Sequence, residues 1–127
     1  MKTTILVSIS TLALASALPA QTVIDQGGTY ENKVFWQPHD GQPTIEVATT
    51  ERVILKRCVI WGGWLTLNNI GIKSLCPETD IEIIDCQANG GGGPFLDLFY
   101  PKGLVIKRLN LIGWDFGRIT GWAPITN

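Results

Sequence analysis

The sequence predicts an all-β protein, a single-stranded right-handed parallel β-helix of about four coils. Three segments, 53–60, 81–88 and 104–111, repeat one pattern of apolar positions at offsets of 28 and then 23 residues. A strand-rich unit of that length is typical of a stacked solenoid. No segment has the periodicity of a helix, and glycines separate runs rich in Ile, Val and Leu, as expected for short strands.

The phase inside each repeat predicts a bend. Side chains of a flat strand alternate between its two faces. Strict alternation would bury Arg57, Asp85 and Arg108, and burying unpaired charges is very costly. A bend of one residue at each of these positions turns all three outward. The inward positions are then apolar or nearly so: Val53, Leu55, Cys58 and Ile60; Ile81, Ile83, Cys86 and Ala88; Leu104, Ile106, Leu109 and Leu111.

A further strand is predicted before each repeat. The chain first offers an extended Thr-Val-Ile run and a glycine turn within 21–32. Segment 44–48 alternates, with Ile45 and Val47 inward, and segments 64–67 and 95–99 are its predicted counterparts in later coils. In the middle coil, 68–79 is predicted to be an inserted loop that carries Cys76.

Residues 1–20 are predicted to be a secretory signal peptide, and residues 21–127 the β-helix domain. Lys2 supplies a positive start, residues 5–14 an apolar run and residues 15–17 the cleavage motif Ala-Ser-Ala. The run is short for a membrane span, and the rest of the chain offers no better one. We therefore expect a secreted or periplasmic protein with no membrane span after signal removal.

The charge and the histidine content argue against two functions, nucleic-acid binding and catalysis by a Ser-His-Asp triad. Ten basic and eleven acidic residues give a formal net charge of −1. No basic block exists, so we expect no nucleic-acid partner. The single histidine, His39, lies in a polar loop at 37–43 with no Ser-His-Asp pattern around it, so we expect an exposed loop residue and not a catalytic base.

The chain has three cysteines, Cys58, Cys76 and Cys86. Their spacing does not match a zinc site, so we expect no metal bound through cysteine. Cys58 and Cys86 share an inward column, which would bring their backbones to about one strand spacing, ~4.8 Å. That distance suits a disulfide, and two stacked core thiols are equally compatible with it.

Several motifs resemble the N-terminal portion of right-handed parallel β-helix proteins of the pectin-lyase-like superfamily. They are DQGGTYEN at 25–32, TIEVATTERVI at 44–54 and the strands that end at Cys58 and Cys86, in that order. The resemblance covers about 21–117. Proteins of this kind continue for many more coils, so the resemblance implies that the fold is truncated here, or else is a minimal solenoid that needs another cap.

The resemblance also implies polysaccharide lyase or glycoside hydrolase chemistry. Such lyases use an Arg or Lys base, often with Ca²⁺ held by carboxylates, and hydrolases use two or three carboxylates in one cleft. The nearest catalytic match is the outward column Arg57, Asp85 and Arg108. A cross-strand salt-bridge ladder explains the same column, and we favour it. In either case Asp85 should lie between the two arginines.

Other candidate sites are weaker. Glu78, Asp80 and Glu82 could bind Ca²⁺, although we favour a solvated turn there and expect no cofactor. Trp61 follows an inward residue and should point outward or lie at a corner, where an aromatic ring could stack on a sugar. The remaining substrate-binding candidates are Trp114, Asp115 and Arg118; for this segment, packing that closes the last coil is favoured over sugar contact.

We therefore expect a secreted β-helix protein associated with polysaccharide or the cell surface, with no complete catalytic site in this chain. The alternative is a polysaccharide lyase or glycoside hydrolase whose active site lies on coils missing from this chain; a third class is a purely structural surface or adhesion module. The last coil should expose apolar side chains and a strand edge. The side chains in question are those of Ile112, Trp114, Phe116, Ile119, Trp122 and Ile125.

Overall fold

The computed structural model describes residues 22–37, 42–62, 70–90 and 92–121. In this part of the chain all the regular structure is β-strand, and every strand pairing is parallel. The strands are β1 (Thr22–Ile24), β2 (Gly28–Glu31), β3 (Val34–Trp36), β4 (Ile45–Val47), β5 (Arg52–Lys56), β6 (Val59–Trp61), β7 (Ile72–Ser74), β8 (Asp80–Asn89), β9 (Pro94–Phe99), β10 (Gly103–Ile112) and β11 (Asp115–Thr120).

These strands form a parallel β-solenoid of about four turns. The first sheet has the order β11-β9-β7-β4-β1. In the second sheet β8 is central: its first half pairs with β5, its second half with β6, and its other edge with β10. Strands β2 and β3 complete this sheet beyond β5 and β6. The predicted all-β fold and parallel stacking are confirmed, and the handedness stays a prediction.

The predicted bend is present in each repeat as a residue in left-handed backbone conformation. Arg57 has φ 52°, Asp85 φ 53° and Arg108 φ 56°. Asn32 has φ 59° at the matching position of the first turn. The left-handed conformation turns the chain within one residue, so β2 and β3, and likewise β5 and β6, continue each other around a corner. We call the stack of Asn32, Arg57, Asp85 and Arg108 the charged corner.

The core consists of the predicted inward columns. Leu55 aligns with Ile83, which aligns with Ile106, and Cys86 aligns with Leu109. Inward side chains of the second and third turns are buried, whereas Ile106, Leu109 and Leu111 of the fourth turn are only partly buried. From the first sheet, Ile45, Ile72 and Leu96 form one further buried column.

The prediction for the third turn of the first sheet is wrong. The strand that continues this sheet is Ile72–Ser74, inside the segment that was predicted to be an inserted loop. The predicted strand at 64–67 lies outside the described residues. The strand is only three residues long and carries a single apolar side chain, Ile72, which is buried between Ile45 and Leu96. So short a run gives almost no alternation to detect.

The first and last turns of the stack differ in the side chains that they carry at the two ends of the core. In the first turn the inward columns contain Gly28, Tyr30 and Lys33, and the Tyr30 hydroxyl donates to the carbonyl of Gln26 at 2.8 Å. In the last turns Ile112 and Phe116 are about half exposed, as predicted, but Trp114 is buried. Trp122 and Ile125 lie outside the described residues.

Candidate functional site

The structure places the predicted catalytic candidates at the charged corner, on the outer surface. Two nitrogens of Arg108, Nε and Nη2, donate to the two carboxylate oxygens of Asp85, the second at 3.1 Å. Arg57 makes its ion pair with Glu31 and donates from Nε to Asn32 Oδ1 at 3.4 Å. The predicted register is therefore confirmed, and of the two arginines it is Arg108 that pairs with Asp85.

The electrostatics of this corner favour charge pairing over proton transfer. The hydrogen bond from Arg108 lowers the pKa of Asp85, and the charge of Arg57 adds to the effect. The same hydrogen bond raises the pKa of Arg108. A carboxylate held ionised by a guanidinium is a weak base, and a guanidinium beside a carboxylate gives up its proton less readily. Among the described residues the corner therefore carries two separate ion pairs, Arg57 with Glu31 and Arg108 with Asp85, and not the continuous ladder through Asp85 that the sequence predicted.

The carboxylates considered for calcium face a cation instead. Arg52 donates to Asp80 at 3.3 Å and to Glu82 at 3.2 Å. Glu78 is exposed in the preceding turn. Within the part of the chain that the structure describes, no group of three or more His, Cys, Asp or Glu side chains could hold a metal ion.

The candidates near the end of the chain are separated by the fold. Trp114 is buried and packs on Phe95, with ring centroids 5.4 Å apart, so its ring closes the core and is not presented to a ligand. Asp115 is exposed at the start of β11. Arg118 donates to Asp97 at 3.1 Å across the first sheet. The packing role that the sequence favoured for this segment therefore applies to Trp114. The side chains of Trp114, Asp115 and Arg118 do not come together in one site.

Trp61 points outward and lies beside a second tryptophan, Trp36. Trp36 and Trp61 are paired in register on β3 and β6, and their indole rings stack with centroids 5.3 Å apart and planes 8° apart. Trp36 is 54% exposed, and Trp61 is half-buried beside it. Trp61 covers one side of the Trp36 ring, and about half of the Trp36 surface remains exposed to solvent.

Among the described residues, the outward columns that contain these two rings and their neighbours carry only apolar and amide side chains. Two columns run across β3, β6, β8 and β10. The first column holds Val34, Val59, Gln87 and Asn110. The second column holds Trp36, Trp61, Asn89 and Ile112. Gln87 and Asn110 are exposed, and Gln87 donates to Asn89 Oδ1 at 3.3 Å. We call these eight residues the tryptophan–amide face; none of them is titratable.

Sequence reasoning missed most of this face. Trp61 was singled out, but Trp36, Gln87 and Asn110 were not. A usable signal exists: the tripeptides Val-Phe-Trp at 34–36 and Val-Ile-Trp at 59–61 repeat at an offset of 25 residues. Aligning them predicts that the two indoles are neighbours on one face of adjacent strands.

Cys58 and Cys86 are both buried and both free thiols. The Cys58 thiol lies 3.2 Å from the carbonyl oxygen of Tyr30, and the Cys86 thiol 3.4 Å from that of Leu55. A hydrogen bond with Cys58, and then burial, raises the pKa of Cys86 above its ordinary value. Cys86 therefore stays protonated at neutral pH and packs as a small apolar side chain.

Comparison of the chain with protein-family models, with curated proteins and with solved structures finds no match. Among residues 22–37, 42–62, 70–90 and 92–121, no helix has the length and apolar character needed to cross a membrane.

Proposed function

We propose that this protein is a secreted or periplasmic β-solenoid that binds polysaccharide through its tryptophan–amide face. The observation that supports it is the stacked pair of Trp36 and Trp61, the first about half exposed and the second half-buried, in an outward column whose described members carry no charge. An indole ring offers a large, rigid apolar surface on which the C–H side of a sugar ring can lie. In this proposal Trp36 is the stacking platform and Trp61 holds its ring in place.

The amides of the face supply the polar half of sugar recognition. An amide group both donates and accepts hydrogen bonds, as a sugar hydroxyl does. Gln87 aligns with Val59 and Asn110 with Gln87, so the two exposed amides lie about two and three strand spacings from β3, roughly 10–14 Å. That separation suits a chain of several sugar units lying across the strands, not a single sugar.

The signal-like residues 1–20 and the resemblance to the pectin-lyase-like superfamily support the same proposal, since proteins of that superfamily act on extracellular polysaccharides. The alternative of a lyase or hydrolase has less support in this chain. Asp85 and Arg108, its best catalytic candidates, pair with each other.

The test is a binding panel of soluble polysaccharides, including a β-glucan, a xylan and a polygalacturonate, with affinity measured by gel retardation and by tryptophan fluorescence. Trp36→Ala should weaken binding at least tenfold, and Trp61→Ala should do so through the loss of ring support. Phe116→Ala is the matched control, because it removes a half-exposed aromatic ring from the first sheet.

Two results would contradict this proposal. One is that no member of the panel binds to the folded protein. The other is that a polysaccharide binds equally well to wild type and to folded Trp36→Ala. Because the face contains no titratable side chain, binding should also change little with pH or salt, and strong salt dependence would point to the charged corner instead.

A further inference from the structure

Two free thiols lie next to each other in the core of the stack. Cys58 and Cys86 are 28 residues apart in the sequence, but they occupy the same inward column of adjacent turns, and both are buried. The backbone N–H of Cys58 donates to the Sγ atom of Cys86 at 3.4 Å. Adjacent parallel strands place their Cα atoms about 4.8 Å apart, within the range that a disulfide spans. A bond between the two sulfur atoms therefore requires no change in the register of the strands.

The two thiols differ in their surroundings. A hydrogen bond from Cys86 lowers the pKa of the Cys58 thiol against the opposing effect of burial, and the charge of Lys33, in the turn before it, lowers this pKa further. The hydrogen bond with Cys58 and burial hold Cys86 in its protonated form. Because the thiolate is the reactive form of cysteine, Cys58 is the nucleophile of the pair. Cys86 is then the neighbouring thiol that can resolve the oxidation product of Cys58.

Among the described residues, the first turn of the solenoid covers the Cys58 side of the pair. The Cys58 thiol lies 3.2 Å from the carbonyl oxygen of Tyr30, which belongs to β2. Strands β2 and β3 have only four and three residues, and Asn32 and Lys33 between them are exposed. Short strands of this kind open locally at a lower free energy than the centre of a sheet. Such opening gives a small oxidant access to Cys58 without unfolding the whole chain.

From this geometry we propose that Cys58 and Cys86 form a redox-active pair that hydrogen peroxide converts reversibly into a disulfide. The Cys58 thiolate attacks one peroxide oxygen, so that an S–O bond forms and the O–O bond breaks, and the departing hydroxide takes up a proton to become water. The Cys86 sulfur then attacks the sulfenic acid of Cys58. In this step the S–S bond forms, the S–O bond breaks, and a second water leaves with the proton of Cys86. One peroxide is reduced to two waters, two thiols are oxidised to one disulfide, and a thiol reductant restores the pair.

The disulfide would fasten the second turn of the solenoid to the third. Cys58 directly precedes β6 and Cys86 lies within β8, so the bond joins the strands that carry Trp61 and Asn89 of the tryptophan–amide face. Closing a loop of this length removes conformational entropy from the unfolded chain. The oxidised protein should therefore have a Tm at least about 5 °C above that of the reduced protein. This redox chemistry is independent of polysaccharide binding.

The experiment uses the whole chain with Cys76→Ser, which removes the third thiol. The folded protein is treated with hydrogen peroxide, its remaining thiols are alkylated, and it is digested with trypsin. Trypsin separates Cys58 from Cys86 because it cleaves after Arg57 and Lys73. Mass spectrometry should find the two cysteine peptides joined by a disulfide. Dithiothreitol should restore both thiols and the lower Tm.

Further variants test the role of each residue, with circular dichroism as the check that each one folds. In Cys86→Ala, Cys58 should stop at the sulfenic acid, which dimedone traps. In Cys58→Ala, the remaining core thiol should react at least about tenfold more slowly than in the parent. Lys33→Gln should slow the loss of thiols at least about threefold at neutral pH. Lys107→Gln, which removes an exposed lysine from β10, is the matched control and should have no effect.

Four results would overturn the proposal. Peroxide at millimolar concentration could leave both thiols free, or it could oxidise the cysteines without joining them. The disulfide could form only in urea, in which case the thiols are not a pair in the folded protein. Cys58→Ala could lose its remaining core thiol as fast as the parent loses its own. Equal rates for Lys33→Gln and Lys107→Gln would contradict the part assigned to Lys33.

Discussion

At the scale of single residues, the corner of each turn is formed by one residue in left-handed conformation. Arg57, Asp85 and Arg108 adopt it although each carries a Cβ atom, which makes this conformation unfavourable. The surrounding pairing keeps them there: the N–H of Arg57 donates to the carbonyl of Ile84 at 2.9 Å, and that of Asn32 to Lys56 at 3.0 Å. At these two corners the strain is thus offset by a backbone hydrogen bond to the next turn.

This backbone conformation leads to a prediction at Arg57. Arg57→Val should lower the free energy of unfolding by about 1–2 kcal/mol, because a β-branched side chain tolerates positive φ worst. Arg57→Asn should be close to neutral, because asparagine tolerates this region and Asn32 already occupies the same column. Urea denaturation measures both variants. Equal stability of the two would show that the corner is not strained.

A second residue-scale prediction concerns the pH dependence of the Asp85–Arg108 pair. Arg108 lowers the pKa of Asp85 in the folded state below its ordinary value of 3.8. The ion pair therefore stabilises the fold above that ordinary pKa, and the contribution is lost as the pH falls through the folded-state pKa. Asp85→Asn should lower the Tm slightly at pH 7, and the difference from wild type should shrink as the pH falls below the ordinary pKa of Asp85.

The control for this pH experiment is the Arg108→Gln background. Without the guanidinium, Asp85→Asn should no longer show a pH-dependent difference in Tm. A difference that persists in this background, or that grows in acid, would assign the effect to something other than the ion pair.

At the scale of the structural element, the bends determine what each strand can do. The sequence was sufficient to predict the bend, because only one phase keeps Arg57, Asp85 and Arg108 outside while Cys58 and Cys86 lie inside. It was not sufficient for β7, whose three residues contain a single buried apolar side chain. The identity of that strand depends on contacts with β4 and β9, which are distant in the sequence.

The glycines beside Trp114 provide an element-scale prediction. Gly62 and Gly90 follow β6 and β8, and a Cβ atom on either would overlap the Trp114 ring. Gly90→Ala should therefore destabilise the fold by about 1–3 kcal/mol, the usual cost of overpacking. The measurement is chemical denaturation of Gly90→Ala in wild-type and Trp114→Ala backgrounds.

The double-mutant comparison isolates the contact between Gly90 and the ring. Trp114→Ala removes the ring, so Gly90→Ala should then cost much less than in wild type. If Gly90→Ala costs the same in both backgrounds, its effect comes from the backbone and the proposed packing of Trp114 is wrong.

At the scale of the whole molecule, the candidate site depends on the stacking of turns. Trp36, Trp61, Gln87 and Asn110 come from four successive turns and become neighbours only through the register of the second sheet. Sequence could predict the columns around Cys58 and Cys86, since the repeat there is clear. It could not predict which outward side chains are exposed, because exposure depends on packing between turns and at the ends of the stack.

Successive turns of the solenoid stack in parallel, in the register that aligns Leu55, Ile83 and Ile106. Nuclear Overhauser contacts measured on isotope-labelled protein test this stacking. We expect contacts between the Ile83 methyl groups and the methyl groups of both Leu55 and Ile106, together with the amide contacts typical of parallel strands. Close Hα–Hα contacts between these strands would indicate antiparallel pairing, and contacts of Ile83 with Ile54 or Val105 would indicate a shifted register; either result would contradict the fold and the tryptophan–amide face that depends on it.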